Sequence, residues 1–284
     1  MRPALPALLL GATFIALSPI FVRVADVGPT ASAFWRVALT APLLWPLLAF
    51  SRQPAAPRPQ WRLLAAAGFA FAGDLAFWHW SIKFTSVANA TLLANLASLF
   101  VTLAVWMFWR QAPSRTFLAG LAAALLGVAV LVRTSLGAAA GGLLGDALGV
   151  VTALFYAAYI LAVKGLRDRG AATLHLMAVT TTLTAIILLP VALASGESLL
   201  PRSAGGWLTL AGLAWISHCA GQGLIAYSLA HLPAAFSSVS LLFQPVMAAL
   251  FAWLLLSEAL APTQVAGGLV VLLGIYLARR GSPR

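Results

Sequence analysis

Residues 81–133 read SIKFTSVANATLLANLASLFVTLAVWMFWRQAPSRTFLAGLAAALLGVAVLVR, and residues 228–280 read SLAHLPAAFSSVSLLFQPVMAALFAWLLLSEALAPTQVAGGLVVLLGIYLARR. At a shift of 147 positions the two stretches align without a gap and share twelve identities in 53 positions. In a chain this rich in Ala and Leu the number alone decides little. The paired Trp106/Trp253, and a Gly-x6-Gly spacing doubled in one register (Gly120/Gly127 and Gly267/Gly274), decide more. Each copy holds two apolar runs, and about 20 apolar residues are what a helix needs to cross the hydrocarbon of a bilayer.

Working outward, the chain yields ten such runs, near 4–22, 30–50, 62–82, 86–108, 115–132, 145–164, 171–193, 206–230, 234–256 and 263–279. The repeat lays spans four and five on spans nine and ten. That offset crosses an odd number of spans, so the copies point opposite ways through the membrane, an inverted-topology arrangement of the kind found in secondary transporters. The expectation is an all-α polytopic membrane protein of ten transmembrane helices in two five-helix inverted repeats, residues 1–140 and 141–284, forming one integral membrane unit. SRQPAAPRPQ, TSLGAAAGG and SGESLLPRSAG read as its longer loops.

Composition agrees. Of 284 residues, 62% are hydrophobic and 8% charged, whereas soluble domains carry about 25% charge. The net charge of +11 is scattered in small basic groups between apolar runs, unlike the basic stripe of a nucleic-acid binder, and no nucleic-acid partner is expected. The one cysteine, Cys219, excludes an internal disulfide or a thiolate metal cluster. The first run lacks a small-x-small cleavage site and reads as a membrane helix rather than a signal peptide.

Lys and Arg placement orients the spans. One side collects Arg2, Arg52, Arg58, Arg62, Arg110, Arg115, Lys164, Arg167, Arg169, Arg279, Arg280 and Arg284; the other has Arg23, Lys83, Arg133 and Arg202. The expected location is the inner (plasma) membrane, with both termini cytoplasmic. No GxxxxGK[ST] phosphate loop is present, so ATP is not the expected power source.

Three stretches then carry a resemblance: PTASAFWRVALTAPLL (29–44), WSIKFTSVANATLLANL (80–96) and AYSLAHLPAAFSSVSLLFQPVMAALFAWLLLSEALAPTQVAGGLVVLLG (226–274). They resemble the EamA-type branch of the drug/metabolite transporter superfamily, and span three resembles that of YddG-like exporters of aromatic amino acids. The first half departs from the pattern, with Ser98 where Pro245 stands in the second and Gln111 in place of Glu258. The resemblance implies a transporter and not an enzyme, with a small-molecule substrate, protons as an open coupling partner and no cofactor.

The candidate residues follow from polarity out of place. Asp74 lies about 12 Å from the near end of span three and Arg36 about 9 Å into span two, at 1.5 Å per residue. A charge at mid-bilayer costs about 2.5–3.5 kcal/mol on insertion scales. Two readings stand side by side: a structural ion pair joining the two spans, or a substrate or coupling site. Trp78 shares a face with Asp74, and His79 belongs either to an aromatic belt or to a cavity wall. Thr91, Asn95 and Ser98 form one stripe on span four, Gln244 sits beside Pro245 on span nine, and Pro245 leaves the Leu241 carbonyl without its helical donor. Tyr156 and Tyr159 offer a stacking surface with hydroxyls, and His218 is either a hydrogen-bonded core residue or a substrate contact.

Spans one, three, four, six, eight and nine are expected to enclose a central cavity lined by Trp78, His79, Asn95, Tyr156, Tyr159, His218 and Gln244. The substrate expected there is a small amphipathic metabolite, an amino acid by the narrower reading. Two rivals are a multidrug exporter of lipophilic cations and an intramembrane enzyme. The enzyme lacks support, because HExxH, GxSxG and any grouped metal ligands are missing from the chain.

Overall fold

The computed structural model describes residues 3–51, 60–85, 87–132 and 142–282. Arg2, Arg52, Arg58, Arg133 and Arg284 of the orientation count lie outside the described residues, as does most of the loops at 51–60 and 134–142. Among the described residues the chain is helical and holds no strand. Nine segments are long and apolar enough to cross a membrane. They are α1 (Ala4–Val24), α2 (Pro29–Phe50), α4 (Asn89–Trp109), α5 (Arg115–Val132), α6 (Leu143–Asp168), α7 (Thr173–Ala194), α8 (Ala204–Ser228), α9 (Ala234–Leu256) and α10 (Pro262–Gly281). Between α2 and α4 lies α3 (Trp61–Phe84), 24 residues long. It falls outside that set because Asp74, His79 and its tryptophans dilute its hydropathy; Asp74, Trp78 and His79 among them are turned inward, while Trp61 and Trp80 stay exposed.

Helix is the form that such runs must take in lipid, where each backbone N–H and C=O needs an internal partner. Proline marks the starts of α2 and α10, at Pro29 and Pro262, where its missing N–H costs nothing. The outside carries large exposed apolar side chains, among them Phe50, Phe108, Leu126, Leu143, Leu208 and Leu269. A soluble surface does not sustain this around its whole girth; hydrocarbon does.

Four helices break in mid-course. In α1, α2 and α9 the break precedes a proline, at 16–17 before Pro19, 39–40 before Pro42 and 241–242 before Pro245. The break in α4, at 95–96, has none. There side chains do the work: Asn95 Nδ2 donates to the Thr91 carbonyl at 2.9 Å and Ser98 Oγ to the Asn95 carbonyl at 3.0 Å. The Leu241 carbonyl freed by Pro245 is not left open. It accepts the Gln244 N–H at 2.9 Å. Within α8, Leu213–Gln222 winds as a wider π-helix, a geometry frequent at functional sites.

Several features recur at the register read from the sequence. Among the described residues, Arg110 and Ser257, 147 residues apart, are the non-glycine residues with positive φ, both at 57°, and each ends a helix. The breaks at 95–96 and 241–242 nearly coincide at the same offset. Helices α5 and α10 pack along each other through the paired glycines. A Cβ added at Gly120 would stand 2.6 Å from the Gly274 carbonyl oxygen, and one at Gly127 would stand 2.8 Å from that of Gly267. The first contact maps onto the second when the two copies are exchanged. Both termini of the described chain lie on one face, called here the terminal face: Ser228 Oγ donates to the Ala4 carbonyl, and Ser114 Oγ to that of Gly281.

Candidate functional site

Asp74 and Trp78, one turn apart on α3, face a cavity of about 160 Å³ between helices of both halves of the chain. An apolar cavity of about 150 Å³ holds benzene, so the space has room for an aromatic ring. The walls come from α1, α3, α4, α6, α8 and α9, as expected from the sequence, and also from α2 through Ala33 and Arg36. The broken helices bring their irregular turns to it: Ala16 of α1, Asn95 of α4 and Pro245 of α9 all line the wall.

Buried polar atoms in folded proteins are almost always hydrogen-bonded. Ten buried side-chain nitrogen or oxygen atoms among the described residues lack a partner, and five of them sit on residues lining this cavity. They are Ser18 Oγ, Arg36 Nε, His79 Nε2, Gln222 Nε2 and Gln244 Nε2. The His79 ring is oriented by its other nitrogen, which lies 2.5 Å from the Leu75 carbonyl. Nδ1–H donates there, and Nε2 is left as an acceptor. Asn95 has its amide nitrogen tied to Thr91, which leaves its carbonyl oxygen for the cavity.

Arg36 and Asp74 both line the cavity but form no ion pair. The ion pairs among the described residues are Arg23–Glu258, Lys83–Glu197 and Lys164–Asp168. Antiparallel neighbours bring the two groups to one cavity but not within the contact distance of an ion pair. The Arg36 guanidinium instead stands 5.9 Å from the centre of the Phe71 ring, within cation–π range.

Of the residues expected to line the site, Trp78, His79, Asn95, Tyr156 and Gln244 do so. Tyr159 and His218 stand behind the wall, both almost fully buried. Tyr159 stacks on Tyr156 at 6.2 Å and packs on Phe71 at 4.8 Å. His218 stacks on Phe71 at 5.2 Å, and its Nε2 lies 2.9 Å from Thr181 Oγ1. Phe71, apolar and unremarkable in sequence, is thus the panel that these two rings hold in place. Its only signal was the helical spacing, three residues before Asp74. Gln222 reaches the cavity from the last turn of the π-helix; it sits beside Tyr159, as Gln244 sits beside Tyr156.

A second cavity, of about 550 Å³, opens toward the terminal face among the ends of α4, α6, α9 and α10. Trp109, Gln111, Phe117, Lys164, Arg169 and Phe236 are among its walls. Along α4, α6 and α9 the two cavities are separated by about one to two helical turns: Asn95 to Thr102, Tyr156 to Leu161 and Gln244 to Phe236.

The model of the EamA-like transporter family matches residues 2–133 and residues 143–280. An uncharacterized transporter of Archaeoglobus fulgidus is 28% identical over 271 residues, 91% of each chain. A solved crystal structure superposes with a TM-score of 0.82 at 17% identity, covering 99% of this chain and 97% of the other, a likeness of fold. With both matched segments together spanning nearly every residue, the chain belongs to the EamA-like transporter family.

Proposed function

We propose that this membrane transporter is a secondary exporter of small amphipathic metabolites, amino acids with an aromatic side chain in the narrower form, working by alternating access through the central cavity. The reading takes ten spans in two inverted repeats, 1–140 and 141–284, in the inner membrane with both termini cytoplasmic. Its support is the pair of family-matched segments of similar length, the recurrences at an offset of 147, and the antiparallel exchange symmetry of the α5–α10 glycine contacts. Inverted repeats place substrate near the midplane between halves, and the 160 Å³ cavity is lined from both halves of the chain.

One observation carries the substrate class: an unpaired cation, Arg36, and an unpaired anion, Asp74, line one small cavity beside the rings of Phe71, Trp78 and Tyr156. A zwitterion with a ring satisfies all of them at once. Its carboxylate meets Arg36, its ammonium meets Asp74, and the ring lies on the aromatic wall. His79 Nε2, Gln222 and Gln244 complete its hydrogen bonds, and Asp74 is the group in this reading that also takes up a coupling proton. A lipophilic cation would satisfy Asp74 and leave Arg36 uncompensated. Purified protein in liposomes, given a panel of labelled amino acids, tests this. Saturable flux of aromatic amino acids is the expected result; flux of a cationic dye and of no amino acid overturns it.

A further inference from the structure

The face opposite the termini is tied across the two halves of the chain by charged groups. Arg23, at the end of α1, pairs with Glu258, just after α9. Asp26 Oδ2 accepts from Ser203 Oγ at 2.9 Å and from the N–H groups of Arg202 and Ser203, both at 3.0 Å. Glu197 accepts from Lys83 Nζ at 2.7 Å, Thr30 Oγ1 at 2.9 Å and Ala31 N–H at 3.0 Å. On the terminal face no ion pair among the described residues joins the halves, since Lys164–Asp168 lies within α6. That face holds the larger cavity, 550 Å³.

One of these ties has a counterpart. Glu258 directly follows Ser257, whose left-handed backbone (φ 57°) ends α9 and turns the chain. Gln111 directly follows Arg110, which has the same φ and ends α4. The same local backbone thus throws position 258 toward the end of α1 on one face, and position 111 toward the end of α6 on the other. The α6 end supplies Arg169, which lines the terminal-face cavity together with Gln111. No described residue bonds the Arg169 guanidinium, while the nearby Lys164 is engaged by Asp168.

We propose that Arg23–Glu258 and Arg169–Gln111 are the two positions of one latch, closed in turn as the halves rock, and that the glutamate in one and the glutamine in the other bias the resting protein toward opening at the terminal face. This rests on the alternating-access reading above but not on its substrate. An ion pair closes the opposite face; only a hydrogen bond from the Arg169 guanidinium to a neutral amide is on offer to close the terminal one. The ligand must supply the difference before the cavity turns over, which couples turnover to loading.

Alkylation rates report the two states. In a Cys219→Ser background, single reporters Val22→Cys (smaller cavity) and Val105→Cys (terminal-face cavity) are treated with an impermeant maleimide in detergent solution. Glu258→Gln and, separately, Gln111→Glu are each expected to slow labelling at 105 and speed it at 22, two- to fivefold, the scale of an exposed ion pair. The charge-reversed pair Arg23→Glu with Glu258→Arg restores the original ratio, and Arg169→Ala cancels the effect of Gln111→Glu. A monodisperse Gln111→Glu protein with an unchanged labelling ratio overturns the latch. If labelling shifts as expected while no amino acid is carried in liposomes, the latch stands and the substrate reading falls. If amino acids are carried and the ratio is unmoved, the reverse holds.

Discussion

Lys83 Nζ lies 2.7 Å from Glu197 Oε1, joining the end of α3 to the loop between α7 and α8. Partial burial alone would raise the Glu197 carboxyl, but Lys83, the Ala31 N–H and the Thr30 hydroxyl outweigh it and hold its pKa below the ordinary 4.5. A carboxyl depressed on folding stabilises the fold above its unfolded pKa and loses that contribution as pH falls through its folded pKa. Thermal unfolding in detergent should therefore be insensitive to Glu197 between pH 7 and 5 and decline below about 4.5. Glu197→Gln should lower the melting temperature at pH 7 and show a shallower decline in acid. An identical acid profile in the variant would remove Glu197 from the explanation.

The α5–α10 seam admits no side chain at its glycines. A Cβ at Gly120 would meet the Ala278 backbone nitrogen at 2.4 Å, and backbone cannot give way as a flexible side chain can. Gly120→Ala should destabilise by about 1–3 kcal/mol, the usual cost of overpacking. Gly223, in α8 with nothing within 4 Å of its added Cβ, is the control. There Ala should be neutral or stabilise by about 0.4–1 kcal/mol through chain entropy. Melting of the two variants side by side reads the contrast.

Hydropathy made the helices legible to within four residues at either end, because crossing hydrocarbon demands length and apolarity and little else. The break in α4 was not legible, since Asn95 and Ser98 bend a helix only through bonds to carbonyls that exist once the helix forms. Nor was the π-helical stretch, whose residues 213–222 carry no marker of wider winding. Helical spacing put Trp78 correctly on the face of Asp74. It did not tell lining from backing at Tyr159 and His218, because that depends on where Phe71 stands. Adjacency of α2 and α3 likewise did not fix how far apart Arg36 and Asp74 come to rest.

That division between lining and backing makes a kinetic prediction. His218 is held by Thr181 at 2.9 Å and stacks on Phe71 behind the cavity wall. Thr181→Val should cost about 0.6 kcal/mol of stability, a typical interhelical hydrogen bond in a membrane protein, with apparent substrate affinity nearly unchanged. Tyr156→Phe and Gln244→Ala alter the wall itself and should raise the apparent KM while the melting temperature holds. Transport kinetics set against melting for the three variants decide it, and an affinity loss in Thr181→Val larger than that in Gln244→Ala would reverse the assignment.

Because Arg36 and Asp74 share a cavity without bonding each other, removing one does not strand an ion-paired partner. Arg36→Gln and Asp74→Asn should both purify as monodisperse protein with melting temperatures at or above that of the parent, since each relieves an unpaired charge within the membrane. Binding should divide by functional group. A hydrogen bond to a charged group is worth about 1.5–3 kcal/mol, or roughly ten- to a hundredfold in affinity. Arg36→Gln should lose that much for an aromatic amino acid and little for the matching amine that lacks a carboxylate. Asp74→Asn should show the converse, tolerating the deaminated acid and losing the zwitterion. Competition binding with the three ligands on each variant gives the pattern directly. If instead both single variants aggregate and the double variant recovers, the two charges stabilise each other at longer range than a contact, and the zwitterion assignment fails with them.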